Sequence, residues 1–255
     1  MKMDRKLIGI WQQIPSPMIS RFLARIGFEN IVLDLQHGPM NYETAYECIH
    51  TIRASGARPF VRTSIGNTSE VQRMLDIGAG GIVVPMVNTL AEAKAMAQAA
   101  KYPPLGARSF GGDSFYTCGR DYFEHANQDT LLLVQIEHID AVNAVEDILS
   151  VDGVDGCFVG PTDLALSMGL PHRGFESDPA HCAAIQRTVD VCRSLGKIAA
   201  SNSYNLDEAR QKAEQGYDFI TLRSDGDLFW DSATQLLRNL KEQVQNTSVA
   251  AGSAR

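Results

Sequence analysis

The chain has 255 residues, of which 44% are hydrophobic and 21% are charged, and its formal net charge is −7. A chain of this length can bury the core of a large domain without disulfides, so the composition indicates a soluble globular protein. It contains no membrane-length apolar run, no apolar signal segment at the N-terminus and no basic cluster, so we expect a cytoplasmic protein that binds neither nucleic acid nor membrane.

Short apolar runs alternate with amphipathic segments along almost the whole chain. Eight runs have the length of a strand: KLIGIWQQI, NIVLDLQ, RPFVRTS, GIVVPMV, LLLVQIE, GCFVG, KIAASN and FITLRS. Segments such as ETAYECIHTIRASG and LDEARQKAEQG lie between them, have helical periodicity and end in a glycine. Eight consecutive strand–helix units without a break in composition predict a single-domain (β/α)8 TIM barrel and argue against a doubly wound sheet.

Two segments depart from this alternation. Residues 103–130 are polar and rich in glycine, which is typical of a functional loop. The last residues, NTSVAAGSAR, are small and polar, which favours a disordered tail. We therefore assign residues 1–240 to the barrel domain and residues 241–255 to the end of the last helix and the tail.

Polar residues at the ends of the apolar runs are the candidates for function, because active sites of such barrels lie at the carboxyl ends of the strands. In chain order they are Asp34, Gln36, His37, Arg62, Gln135, Glu137, Asp163, Arg223 and Asp225. Gln135 and Glu137 share one face of an otherwise apolar strand. A buried carboxylate costs several kcal/mol unless it is paired, so the sequence predicts a partner for Glu137.

Glu137 and Asp163 are 26 residues apart, about one βα unit, which predicts that they end adjacent strands. Two carboxylates there favour a divalent cation such as Mg²⁺ or Mn²⁺, with coordination positions left for water and substrate. A carboxylate pair held by salt bridges is one alternative, and an acid/base pair like that of glycosidases is another.

Arg62 and His37 are the two candidates that could act on a substrate directly. Arg62 shares a strand face with Phe60 and could project over the barrel mouth toward an anion, or it could be a structural residue that caps a helix. His37 lies in the turn LQHGPM three residues after Asp34, whose carboxylate could orient the imidazole ring; a structural histidine is the alternative. His138 is expected to point outward.

Five segments together resemble the successive motifs of the HpcH/HpaI family of metal-dependent, class II pyruvate aldolases. They are LDLQHGPMNYET, PFVRTS, MLDIGAGGIVVPMVNTLAEAKAMAQAAKYPPLGARSFG, LLLVQIEH and VDGVDGCFVGPTDLALSMG. The resemblance runs from Gly9 to Leu236 and preserves motif order and spacing. It implies a (β/α)8 barrel in a homohexamer, a trimer of dimers, with active sites near subunit interfaces.

The resemblance also implies ligands for the metal and the substrate. Glu137 and Asp163 would bind the cation, which would be Mg²⁺, Mn²⁺ or another divalent ion such as Co²⁺. Gln135 would line the pocket for the pyruvyl group. The substrate carboxylate would bind the backbone of the turn formed by Gly160, Pro161, Thr162 and Asp163.

The catalytic histidine of the family corresponds to His37, with Asp34 close before it, and the arginine that stabilises the enolate corresponds to Arg62. Two residues depart from the family pattern. Gln36 stands where a glutamate commonly precedes the histidine, and His138 stands where threonine or serine commonly follows the metal-binding glutamate. The first departure removes a charge beside the proposed base and affects the expected substrate and pH preference.

The reaction implied is the reversible cleavage of a 4-hydroxy-2-oxo acid to pyruvate, or a related 2-oxo acid, and an aldehyde, through an enolate stabilised by the cation and Arg62. Residues 201–205 and 103–130 are expected to shape the aldehyde pocket, and the aldehyde itself stays open. The alternatives are a related metal-enolate lyase or decarboxylase and a non-catalytic barrel.

A Schiff-base aldolase would need a lysine near the carboxyl end of a strand. Lys197 instead begins its strand, and Lys94, Lys101 and Lys212 fall on helical segments, which argues against this chemistry. The segment DGDLFWDSATQLLRNL carries more apolar side chains than one buried helix face uses. We therefore expect the last helix to lie in an interface of the homo-oligomer.

Overall fold

Eight parallel strands close into a barrel in the computed structural model, which describes residues 6–252, with side chains described as far as Gln245. The strands are β1 (Leu7–Gln12), β2 (Asn30–Asp34), β3 (Arg58–Arg62), β4 (Gly81–Val84), β5 (Leu131–Ile136), β6 (Gly156–Val159), β7 (Ile198–Ser203) and β8 (Phe219–Ser224). Each strand pairs with the next one along the chain, and β8 pairs with β1. This confirms the predicted (β/α)8 barrel.

Helices surround the barrel and connect its strands. Those in the described residues are α1 (Pro17–Ile26), α2 (Tyr42–Ala54), α3 (Thr68–Asp76), α4 (Leu90–Ala100), α5 (Ser114–Thr117), α6 (Tyr122–Asp129), α7 (Ile139–Asn143), α8 (Val145–Leu149), α9 (Pro161–Ser167), α10 (Pro179–Leu195), α11 (Leu206–Gln215) and α12 (Asp225–Gly252), with a short 3₁₀ helix at Phe175–Ser177. Local chemistry fixes several ends. Thr89 and Glu92 form a capping box at the start of α4, and Gly196 ends α10 in the left-handed conformation.

The inside of the barrel is filled by one or two apolar side chains from each strand. They are Trp11, Val32, Phe60, Val83, Leu131, Leu133, Phe158, Ile198, Ala200 and Phe219. Because side chains alternate between the two faces of a strand, the next inward position lies two residues further along, at the barrel mouth. Those positions carry polar side chains such as Asp34, Arg62, Gln135, Asn202 and Thr221, and this periodicity places the candidate site.

The segment 103–130, predicted to be a functional loop, is fully described and contains α5 and α6. Arg108 fixes it to the barrel, donating hydrogen bonds to Tyr122 Oη at 3.0 Å and to Asp76 Oδ1 at 2.8 Å. None of its residues lines the cavity at the barrel mouth of its own chain. The expectation that it shapes the aldehyde pocket within one chain is therefore not met.

The last helix, α12, projects beyond the barrel, and many of its apolar side chains are exposed. Phe229, Trp230 and Leu236 are 68%, 71% and 70% exposed. The helix runs to Gly252, and residues 253–255 of the predicted tail lie outside the described residues. The division of the chain near residue 240 stays a prediction.

No helix within residues 6–252 is both long enough and apolar enough to cross a membrane.

Candidate active site

A cavity of about 330 Å³ lies at the carboxyl ends of the strands. The residues predicted to bind metal or substrate line this cavity, as do the catalytic candidates His37 and Arg62, whereas Asp34, Gln36 and Asp225 do not. The predicted residues that line it include His37, Arg62, Gln135, Gly160, Pro161, Thr162, Asp163 and Glu137. Residues at the ends of four strands, β2, β3, β5 and β6, therefore converge on one cavity.

Asp34 lies behind the cavity and holds Arg62. Its Oδ1 accepts a hydrogen bond from Arg62 Nε at 3.0 Å, and its Oδ2 accepts one from Nη2 at 2.6 Å. Burial of the Asp34 carboxyl raises its pKa, but the hydrogen bonds and charge of Arg62 outweigh this and hold the pKa below its ordinary value. Asp34 also accepts the backbone N–H groups of Gln36 and His37. Its contact with His37 is thus through the backbone, whereas we expected it to orient the imidazole ring.

The Arg62 guanidinium also packs on an aromatic floor. Its Cζ lies 4.4 Å from the centroid of the Trp11 ring, and Trp11 in turn meets Phe158 edge to face at 5.3 Å. The Trp11 indole is fixed by a 2.8 Å hydrogen bond to Thr221 Oγ1. Arg62 is therefore held by Asp34 and by the Trp11 ring, and its Nη1 has no protein acceptor within the described chain.

Glu137 follows β5 directly and is buried, with a 2% exposed fraction. Its Oε1 accepts the Met86 backbone N–H at 2.9 Å, and its Oε2 accepts Gln135 Nε2 at 2.7 Å. Burial, reinforced by the negative charge of Asp163, raises the pKa of Glu137 to about 7. The hydrogen-bond donors that contact Glu137 are both uncharged, so the protein supplies no direct cationic partner among its described residues.

The backbone around Glu137 is adapted to this carboxylate. A Cβ on Gly160 would lie 2.5 Å from Glu137 Oε2, so only glycine fits at the start of α9. Met86, which donates to the carboxylate, has a φ of 55°, a conformation that is costly for a residue with a side chain. Gln135 Oε1 is buried and has no hydrogen-bond partner within residues 6–252. Strain and an unpaired acceptor at one place are typical of a ligand site.

His37 lies at the mouth of the cavity and its side chain is exposed. The tight turn behind it depends on Gly38, where a Cβ would lie 2.4 Å from the Asp34 backbone oxygen. Gln36, which stands in the place of a family glutamate, has a buried Oε1 without a protein partner. The histidine is thus free to meet a substrate while its backbone is fixed.

Other sequence candidates have structural roles. Asp225 accepts the backbone N–H groups of Gln13 and Ile14 and so fixes the loop after β1. His138 lies outside the cavity, as expected, and its Nδ1 caps α7. Lys101 is buried and bonded to Asp155 Oδ2 at 2.8 Å. No lysine among the described residues lines the cavity, so a Schiff-base mechanism has no nucleophile there.

The cavity also contains residues that the sequence analysis did not assign. Trp11, Gln13, Asn202, Tyr204 and Asp227 line it. The first four continue the inward positions of β1 and β7 at period two, and this signal could have identified them once the strands were known. Asn202 and Tyr204 belong to the segment 201–205, and its expected role in shaping the aldehyde pocket stays a prediction.

Comparison with known proteins shows which family this chain resembles. The profile of the HpcH/HpaI aldolase/citrate lyase family matches residues 7–232. A hydroxypyruvate/pyruvate aldolase of Rhizorhabdus wittichii is 34% identical over 238 residues, which cover 93% of this chain and 95% of that protein. A 4-hydroxy-2-oxo-heptane-1,7-dioate aldolase of Klebsiella pneumoniae is 32% identical over 252 residues, which cover 97% of this chain and 94% of that protein.

A solved structure shares both the fold and the chain length. The HpcH/HpaI aldolase/citrate lyase family protein of Burkholderia cenocepacia superposes with a TM-score of 0.86 at 28% identity, covering 94% of this chain and 96% of that chain. The profile match spans most of the chain, and the curated relatives exceed 30% identity over nearly their full length. This chain belongs to the HpcH/HpaI aldolase/citrate lyase family.

Proposed function

We propose that this protein is a divalent-metal-dependent aldolase that reversibly cleaves a 4-hydroxy-2-oxo acid to pyruvate, or a related 2-oxo acid, and an aldehyde. The observation that carries the proposal is the convergence of Glu137, Asp163, Arg62 and His37 on one cavity. The names of the curated relatives, which are aldolases over nearly the whole chain length, support the same reaction class.

The cavity fits a hard divalent cation such as Mg²⁺ or Mn²⁺. Glu137 is a buried carboxylate whose hydrogen-bond donors are uncharged, and Asp163 brings a second negative charge close enough to raise the pKa of Glu137. A cation between them would relieve both the burial and the repulsion. The described residues contain no group of three or more acidic, histidine or cysteine ligands, which leaves coordination positions for water and substrate oxygens. When bound, the ion polarises the 2-oxo group and stabilises negative charge on its oxygen.

The pyruvyl half of the substrate would be held by the turn between β6 and α9. The start of α9 has no side-chain cap, so the backbone N–H groups of Thr162 and Asp163 are available to a carboxylate. Pro161 has no N–H group and fixes the backbone of the turn. The apolar floor of Trp11 and Phe158 fits the methyl or methylene carbon of that half.

Arg62 and His37 would perform the proton and charge chemistry. In the cleavage direction His37 takes the proton of the C4 hydroxyl, the C3–C4 bond breaks to release the aldehyde, and its electrons form the enolate. Arg62, which is held in position by Asp34, stabilises the enolate oxygen. The enolate then takes up a proton at C3 to give pyruvate. In the condensation direction the same groups act in reverse.

The exposed apolar side chains of α12 support the further proposal of a homohexamer, a trimer of dimers, with this helix in an interface. We place this assembly in the cytoplasm. An interface that includes α12 would also bring neighbouring chains close to the barrel mouth, because α12 begins directly after β8.

The test is to incubate the purified protein with 4-hydroxy-2-oxo acids and to measure pyruvate release with and without added Mg²⁺ or Mn²⁺. Activity should be lost in EDTA and restored by the ion. Pyruvate in D₂O should also exchange its methyl protons when protein and ion are both present. If neither cleavage nor exchange occurs, the aldolase proposal fails in favour of a related metal-enolate lyase or decarboxylase, or a non-catalytic barrel.

A further inference from the structure

Strand β8 contains a bulge at the barrel mouth. Gly9 pairs with Thr221 and Trp11 pairs with Ser224, so one residue of β1 opposes two residues of β8. One of these two residues, Arg223, has a φ of 57°. This left-handed conformation suits glycine and costs an arginine on the order of 1 kcal/mol or more. Bulges near active sites commonly redirect a side chain, and the redirected side chain here is that of Arg223.

The strained residue projects into the cavity. Phe219 and Thr221 face the barrel interior, where Thr221 binds the Trp11 indole at 2.8 Å and Asn202 Oδ1 at 2.9 Å. Arg223 lies two residues further along the same strand and lines the cavity. A second arginine, in addition to Arg62, therefore lines the cavity, and it does so at the bulge.

The Arg223 guanidinium is only partly paired. Its Nη2 donates to Asp231 Oδ2 at 2.6 Å, and Asp231 is 57% exposed on α12. A salt bridge with so exposed a partner contributes little. The Nε of Arg223 is buried and has no acceptor among the described residues. A buried charged donor without an acceptor indicates a ligand or an ordered water at that position.

The other charges of the cavity are already assigned. Arg62 is bound twice by the buried Asp34, and Glu137 with Asp163 forms the proposed cation site. The carboxylate of Asp227 accepts the Ser224 backbone N–H at 3.1 Å. Among the described residues, Arg223 is thus a second cavity cation, besides Arg62, that has a donor open to an anion.

We propose that Arg223 binds an anionic group, a carboxylate or a phosphate, on the aldehyde half of the substrate. This deepens the proposed function and rests on it, because the reaction must generate an aldehyde for the residue to select. In the proposed function the pyruvyl carboxylate binds at the start of α9, so the second anion belongs to the part of the substrate that leaves as the aldehyde. Arg223 is therefore a specificity-determining residue for acidic aldehydes.

Condensation of pyruvate with matched aldehydes measures this selectivity. The carboxylate pair is 4-oxobutanoate and butanal, and the phosphate pair is glyceraldehyde 3-phosphate and glyceraldehyde. In the wild-type protein, kcat/KM should favour the charged member of at least one pair, and the pair that shows the preference identifies the anion. Arg223→Gly, which fits the φ of this position without strain, should reduce that preference by about 10- to 100-fold, the usual effect of one charge-assisted hydrogen bond.

Asp231→Asn separates substrate binding from a purely structural role. This change breaks the same salt bridge but leaves the guanidinium in place, so the preference for the charged aldehyde should persist. If Arg223 only anchors α12, Arg223→Gly and Asp231→Asn will change the two members of each pair alike, and the proposal is overturned. Arg223→Met, which removes the charge but keeps the length of the side chain, should reproduce the loss seen with glycine.

Deuterium exchange into pyruvate tests the proposed function separately from the role of Arg223, since it requires no aldehyde. If the wild-type protein exchanges pyruvate but prefers neither charged aldehyde, the assignment of Arg223 is wrong and the proposed function stands. If it neither exchanges pyruvate nor condenses any aldehyde, both proposals fall together.

Discussion

Asp34 and Arg62 connect the ends of β2 and β3 through two hydrogen bonds, at 3.0 Å and 2.6 Å, and the Asp34 side chain is fully buried. The two residues face each other because Asp34 pairs in register with Arg62 across the strands. The guanidinium is held as a rigid fork, which presents its remaining donors to the cavity in one orientation.

Asp34→Asn tests this relationship. The substitution leaves a mostly buried guanidinium without its counter-charge, so the free energy of unfolding should fall by about 3 kcal/mol at pH 7. Because the pKa of Asp34 in the folded protein is lowered below its ordinary value of 3.8, its stabilisation is present above that pH and is lost as the pH falls through the folded value. Urea unfolding across pH should therefore show the two proteins converging in acid. If the difference in free energy of unfolding between the two proteins were the same at all pH values, the ion pair would be contradicted.

Arg62→Ala should slow deuterium exchange into pyruvate by about 10²- to 10³-fold, because the enolate oxygen loses one of its cationic partners. Arg62→Lys is the matched variant, since it keeps the charge but cannot reproduce the two bonds to Asp34. Its exchange rate should lie between the rates of Arg62→Ala and the wild-type protein. The exchange is followed by loss of the methyl signal in NMR. Equal rates in all three proteins would remove Arg62 from the mechanism.

Glu137→Gln should stabilise the metal-free protein above neutral pH while removing cation binding. The folded-state pKa of Glu137 is raised to about 7 from an ordinary 4.5, so the folded protein holds this proton more tightly than the unfolded chain. The stability of the metal-free wild type should therefore fall as pH rises from about 5 to 8, by at most about 3 kcal/mol, and the variant should lack this slope. Thermal unfolding in EDTA measures the slope, and calorimetric titration with Mn²⁺ measures binding. If the metal-free wild-type protein were as stable at pH 8 as at pH 5, the pKa of Glu137 would not be raised by burial.

Much of the fold and site follows from sequence because both depend on short-range periodicity. The eight apolar runs and their connecting helices specify the barrel, and the polar residues two positions beyond the apolar core mark its mouth. Glu137 was identified in this way, since a carboxylate on the inward face of β5 needs a ligand. The strands end slightly earlier than the apolar runs, as at β4, which stops at Val84 because Pro85 cannot donate a hydrogen bond to the sheet.

The remaining features depend on long-range contacts or on backbone irregularity. The sequence placed Asp34 beside His37, three residues away, but the carboxylate binds Arg62 on the neighbouring strand, a choice set by strand register. Arg223 was recognised only as the end of β8. Its orientation comes from a bulge and a positive φ, and no hydrophobic pattern encodes either one.

Assembly can be tested through the exposed apolar face of α12. Light scattering of the wild-type protein should give a mass near six times the 27.9 kDa chain. Trp230→Glu should lower that mass, because a carboxylate would have to be buried in the interface. Arg238→Ala on the same helix is the control for a general effect on α12. A wild-type monomer at micromolar concentration would refute both the hexamer and the role of this helix.

His37→Ala tests the proposed base, and the exposure of His37 at the cavity mouth makes the test specific. Removal of the imidazole should reduce cleavage of a 4-hydroxy-2-oxo acid by about 10²- to 10⁴-fold, since the C4 hydroxyl loses its proton acceptor. A small external base can reach the vacated position, so added imidazole should restore part of the rate in proportion to its unprotonated fraction. Arg62→Ala should not respond to imidazole, because this variant has lost the guanidinium charge but still has His37 as its base. If His37→Ala cleaves at the wild-type rate, or if imidazole rescues Arg62→Ala equally, proton transfer must be assigned to another group.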